Sequence, residues 1–150
     1  MGISEATVTL TVLRVHMKEV SEIYAGEFSE NSVSFEHCTF IFHKMDYGEL
    51  DHTRLLEAKG IAHDINWEAG DDHQGGTSCL RFNAQGEKDY VEHTDGLNKI
   101  SVDFLLEHIN EPDKLIEEIK RFASKRIPLS WDDQVANGQL YRMKQLLLTT

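Results

Sequence analysis

The stretch from Gly60 to Gly86, GIAHDINWEAGDDHQGGTSCLRFNAQG, constrains the fold of this chain more than any other. Ile61, His63, Ile65 and Trp67 alternate with Ala62, Asp64, Asn66 and Glu68. That is the period of a strand with one buried face. Leu80 and Phe82 alternate with Cys79, Arg81 and Asn83 in the same way, so a second short strand follows. The connection between them, from Glu68 to Ser78, is polar, acidic and glycine-rich. It is long for a hairpin, where loops of about 2–5 residues are usual, and long ordered loops often carry binding or catalysis. Asn83 to Gly86 reads as the exit turn.

The rest of the chain supplies partners for this hairpin. Residues 6–17 are β-branched and alternate, with a slip of phase that predicts a bulge near Val12. Residues 18–31 carry four glutamates and read as a short helix or an acidic loop. Residues 32–44 form the most apolar strand, where Phe35, Cys38, Phe40, Ile41 and Phe42 predict cover on both faces. Residues 51–59 predict a short helix, with Asp51 as N-cap and Gly60 just past its end. Residues 87–96 read as strand or loop, closing in an Asp95-Gly96 turn.

Over 97–109 the apolar residues suit either a helix or a strand, and β-branched alternation tips 99–107 towards strand. Residues 111–126 have the clearest helical pattern, with a buried stripe expected at Leu115, Ile116, Ile119, Phe122 and Ala123. Acidic residues crowd its start and basic residues its end, which suits the helix dipole without any nucleic-acid role. Ser130 and Asp133 suggest a further capping box. Residues 131–148 suit a closing helix, or a strand from Gln139 to Leu148 if Asn137-Gly138 breaks it. Together these elements predict a single α+β domain: a mixed or antiparallel sheet of about five strands with two or three helices packed on one face.

Charge is the most unusual global property. The chain has a net charge of −11. Residues 1–50 carry three Lys/Arg against eight Asp/Glu, residues 51–100 five against ten, and residues 101–150 seven against eight. A negative field over the first two thirds repels nucleic acid and anionic membrane and attracts a basic protein. An acidic surface also simply aids solubility. The N-terminus has no basic region followed by an apolar run, and no apolar stretch approaches the ~20 residues that span a bilayer. Residence in the cytoplasm is the expectation. Cys38 and Cys79 each sit among strand residues, which predicts buried free thiols, with a cross-strand disulfide as the alternative.

Candidate site residues cluster in the hairpin. Glu68, Asp71, Asp72 and His73 are candidates for gripping a partner, because the loop presents them together. His63, Asp64, Asp71, Asp72 and His73 include the donors that a divalent metal would need, though their spacing matches no metal motif. The Ser/His/Asp, P-loop, dinucleotide-binding and HExxH patterns are absent from the sequence, so no catalytic residue and no cofactor is assigned. A cysteine nucleophile is disfavoured, since His37 neighbours Cys38 in sequence and so faces the other side of the strand. Protonating all eight histidines would cut the net charge from −11 to −3, a global effect without an evident switch.

The run from Tyr47 to Gly86 resembles a pattern found in small uncharacterised accessory proteins of phages, prophages and plasmids. The matching residues are Tyr47-Gly48, Leu50, Gly60-Ile61, Trp67, Gly70, Gly76, Arg81-Phe82 and Gly86. They are turn glycines and core positions, and the resemblance brings no assigned chemistry. It implies a mobile-element accessory protein, a class whose small acidic members often bind and block other proteins. The balance favours a protein-binding module, an inhibitor or accessory of a basic nucleic-acid enzyme or toxin. A metal-binding protein or metal-dependent hydrolase using the 63–73 cluster is the alternative, and a homodimer is compatible with either.

Overall fold

The computed structural model of the chain describes residues 5–94, 102–124 and 127–149. The predicted alternation appears as strands β1 (Glu5–Leu13), β2 (Glu30–Val33), β3 (His37–Asp46), β4 (His63–Trp67), β5 (Gly76–Phe82) and β6 (Lys88–Thr94). They form one six-stranded sheet in the order β2-β3-β1-β4-β5-β6, with every neighbouring pair antiparallel. The α+β class is therefore correct, and the strand count is six where about five were expected. The described helices are α1 (Met17–Tyr24), α2 (Thr53–Ala58), α3 (Val102–Glu107), α4 (Pro112–Ser124) and α5 (Gln134–Leu148).

The extra strand comes from dividing the apolar run at 32–44. Ser34 closes a turn there: its N–H donates to His37 O at 2.8 Å and its Oγ accepts from His37 N–H at 3.1 Å. β2 thus becomes an exposed edge strand, and Phe35 sits on the turn with 89% of its surface exposed. β3 is covered on one face only, since Cys38, Phe40 and Phe42 are buried while Thr39 and Ile41 are half-buried. The phase slip after Val12 is not a bulge. β1 ends at Leu13, and a 3-10 turn over Arg14–His16 leads into α1. The register does shift in β1, but between Ala6 and Val8.

One face of the sheet holds the core. Val8, Leu10 and Val12 of β1 lie beside Phe40, Phe42 and Cys38 of β3 and Ile65 of β4. Val20 and Tyr24 of α1, Leu56 of α2 and Ile61 cover them. Helix α2 is shorter than predicted. Its N-cap is His52, in the left-handed region at φ 67°, and not Asp51, whose carbonyl instead accepts the Tyr24 hydroxyl at 2.7 Å. Gly60 ends it as predicted, at φ +70°. Gly60 N–H donates to Glu57 O, and Ile61 N–H to Leu56 O, the paired bonds of a Schellman motif.

The region 131–148 is helical, and Asn137-Gly138 lies inside α5 without breaking it. A Cβ on Gly138 would lie 1.9 Å from Gly60 O, and one on Gly60 would lie 2.1 Å from Gly138 O. The two glycines let α5 touch the end of α2 backbone to backbone. Gln134 then clasps the end of β5, accepting from Phe82 N–H at 2.8 Å and donating to Phe82 O at 3.0 Å. Asn137 donates to the same carbonyl at 3.0 Å. Asp133 caps α5 with its backbone in the left-handed region and no side-chain bond, so the predicted capping box does not form.

Residues 102–107 form helix α3 where strand was favoured. Ile116 and Ile119 of α4 are exposed where a buried stripe was expected, while Leu115 is half-buried. The rest of that stripe, the side chains of Phe122 and Ala123, and the predicted Asp95-Gly96 turn lie outside the described residues. Among the described residues no helix is long and apolar enough to cross a membrane.

Candidate functional site

The strand pleat that builds the core continues into β5 and β6, but the helices do not follow it all the way. On this face β4 presents His63, Ile65 and Trp67, and β5 presents Gly76, Ser78 and Leu80 opposite them. Next come Thr94, Glu92 and Tyr90 of β6, with Lys88 opposite Phe82. Thr53 and Glu57 of α2, with the loop from Tyr47 to Leu50, form a wall. Two cavities of 410 and 400 Å³ lie along this floor and share Thr53, Ile65 and Ser78, so they form one continuous cleft.

One end of the cleft is acidic and aromatic. It is lined by Tyr47, Gly48, Glu49, Trp67 and Glu92, with no basic side chain among its described lining residues. Glycines set this geometry. A Cβ on Gly48 would lie 2.8 Å from the Trp67 Cβ, and one on Gly76 would lie 2.5 Å from the indole ring. Trp67 is thereby held between two backbone segments, and its Nε1–H donates to Gln74 O at 3.0 Å. The loop before β5 is closed on itself, since Gly70 N–H donates to His73 O and the His73 ring bonds Glu68 O, both at 3.0 Å. Tyr47, 48% exposed, meets the His73 ring with centroids 6.2 Å apart. Asp46, Glu49 and Asp51, near Tyr47 in sequence, and Glu68, Asp71 and Asp72, near His73, are all exposed.

The other end is built around His63, which is only 4% exposed. Its Nδ1 lies 2.9 Å from Ile61 O. A carbonyl can only accept, so Nδ1 carries the proton and Nε2 keeps the lone pair. Burial lowers the His63 pKa, against the raising effects of the Ile61 carbonyl and the Asp64 charge, so the ring is neutral near pH 7. Ile65 and Leu80 form the apolar floor here. Lys88 pairs with Glu57 at the mouth, and that carboxylate raises the lysine pKa. Burial, with the Glu57 charge next, raises the pKa of Tyr141 of α5. Burial, with the Glu92 charge next, raises the Tyr90 pKa.

The five proposed metal donors are distributed over three places. His63 and Asp64 are consecutive in β4 and face opposite sides of the sheet, so they cannot share an ion. Asp64 Oδ1 lies 2.8 Å from Arg81 Nη1, and after burial the Asp64 carboxylate helps raise the Cys79 pKa. Asp71, Asp72 and His73 sit in the closed loop. Among the described residues no three His, Cys, Asp or Glu side chains come close enough to hold a metal ion.

Both cysteines are free and buried, Cys38 on the core face and Cys79 on the opposite one. Burial pushes both thiols up, Cys79 to about 12, so neither is an activated nucleophile. Arg81 is a structural pin, 2% exposed, with its guanidinium 3.7 Å from the Trp131 ring and its Nε–H donating to Leu129 O at 3.0 Å.

Sequence reasoning missed Glu49, Glu57, Ser78, Lys88, Tyr90 and Glu92 because they come from four separate segments. One signal for them existed. Lys88, Tyr90 and Glu92 alternate in β6, on the same side as Leu80 and Phe82 of its neighbour. No protein-family model, curated protein or solved structure matches this chain.

Proposed function

We propose that this is an acidic protein-binding module that holds a basic partner, with the groove between Tyr47 and Trp67 receiving a lysine or arginine side chain. The observation that carries this reading is the groove's lining: two aromatic rings and the carboxylates of Glu49 and Glu92, with no basic side chain among the described residues. A cation there gains attraction from both charges and from the ring faces. The adjoining acidic loops, with Glu68, Asp71, Asp72 and His73, extend the same potential outward and speed encounter. The resemblance of the 47–86 run to mobile-element accessory proteins fits a cytoplasmic inhibitor whose target is a nucleic-acid enzyme or a toxin. The same potential disfavours direct contact with nucleic acid.

The test is a titration of a short arginine-containing peptide into the chain and into a Glu49→Gln/Glu92→Gln variant. Binding to the native chain is expected to weaken steeply as salt rises, and the double variant to lose about tenfold in affinity. Equal affinity for the two proteins, or binding indifferent to salt, would overturn the proposal.

A further inference from the structure

The cleft does not end at the acidic groove, and its second half has a different chemistry. His63 offers one hydrogen-bond acceptor, Nε2, because Nδ1 is committed to Ile61 O. Around it lie the apolar Ile65 and Leu80 and the hydroxyls of Thr53, Ser78 and Tyr90. An anionic ligand is disfavoured, because Glu57 and Glu92 stand at the two ends and Lys88 is already paired with Glu57. A second lysine is disfavoured by the apolar floor, which would strip its hydration. The match is a bulky apolar body carrying one donor, which among side chains means tyrosine or tryptophan.

The strand register sets the distance between the two subsites. Glu92 pairs with Ser78 at the acidic end, and Tyr90 pairs with Leu80 at the His63 end. These rows are two residues apart along each strand, about 7 Å. In an extended partner segment, side chains two residues apart point the same way at the same spacing.

Resting on the acidic-groove reading above, we infer that the cleft reads an extended segment bearing arginine or lysine and, two residues away, tyrosine or tryptophan. The cation lies over the Ser78–Glu92 row, in the groove that Tyr47 and Trp67 also line. The aromatic ring lies over Leu80, beside Tyr90, its O–H or N–H donating to His63 Nε2.

Synthetic capped peptides test this on the full chain. The reference is Gly-Gly-Arg-Ser-Tyr-Gly-Gly. Its controls place the two residues adjacent, or replace tyrosine by phenylalanine. With isotope-labelled protein, the Trp67 indole N–H and the His63 ring report the two subsites separately by NMR. The expected result is that both signals move with the reference peptide, and that it binds about tenfold tighter than the adjacent control. Phenylalanine should cost severalfold through the lost donor. If every arginine peptide moves Trp67 alone, with no preference for spacing or hydroxyl, this inference fails and the acidic groove stands. If no peptide moves either signal, both fail.

Discussion

The same sheet face does two different things in its two halves. Over β3, β1 and β4, helices α1 and α2 seal the pleat, and Val8, Leu10, Val12 and Phe40 have no exposed surface. Over β4, β5 and β6, the pleat carries His63, Ser78, Tyr90 and Glu92 and is left as a cleft beside α2. In the sealed half β1 and β3 bury Val8, Leu10, Val12, Cys38, Phe40 and Phe42, while the open half mixes apolar, hydroxyl and charged side chains. One half supplies stability, and the other lines a cleft with polar side chains. A substitution should therefore move either folding or binding, according to which half it touches.

The largest effect belongs to the sealed half. Phe40→Ala should cost about 3–5 kcal/mol, since it empties a site in contact with Phe28 and the rest of the core. Urea denaturation measures it. The fraction that stays folded should bind an arginine peptide with native affinity, and a matching loss of affinity would mean that the halves are coupled.

Next comes the junction joining the two halves. Gly138→Ala places a Cβ against Gly60 O and should cost more than about 2 kcal/mol. Amide exchange should accelerate across α5 before β1 or β3. Uniform acceleration would show that α5 belongs to the sealed half's cooperative unit.

The pH dependence is smaller and falls on the open half. The folded pKa of His63 lies below its unfolded value, so the unfolded chain binds the proton first as pH falls. Stability is full above about pH 6.5 and declines below it, towards the folded pKa. His16, also lowered by burial, adds in the same direction. His63→Asn, which can keep a donor towards Ile61 O, should flatten the slope of unfolding free energy between pH 5 and 7, two values set about the ordinary histidine pKa. An unchanged slope would assign the effect elsewhere.

The smallest effect on stability is the most informative about the cleft. Glu92→Gln should change the unfolding free energy by no more than about 0.5 kcal/mol, yet weaken arginine-peptide binding severalfold. Asp71→Asn/Asp72→Asn should slow association and leave dissociation nearly unchanged, because these carboxylates lie on the rim. Stopped-flow kinetics separates the two rates. A change confined to dissociation would place the loop inside the contact.

Much of the fold was legible because the pleat writes itself into sequence as alternation. β1, β4 and β5 were readable in this way, as was the end of α2 at Gly60, whose positive φ suits glycine. The hairpin joining β2 to β3 was not, because Ser34, Phe35 and Glu36 carry no glycine or proline to mark the turn. Helix α3 was misread because a short apolar run satisfies both periods, and only its surroundings decide between them. Gly138 keeps the last segment open between helix and strand, because nothing local reveals that Gly60, far away in sequence, needs it bare of side chain.

The site divides in the same way. The excess of carboxylates in the first two thirds of the chain, the alternation that makes the strands, and the long loop before β5 are all legible from residue order. Packing of the whole chain sets His63 into the cleft and Asp64 away from it against Arg81, and brings Glu49 and Glu92 to the same groove. Local periodicity follows from the geometry of one segment and is written along it. Convergence of residues from α2, β4, β5 and β6 depends on strand order and on glycine contacts between distant segments, which no stretch of sequence contains by itself.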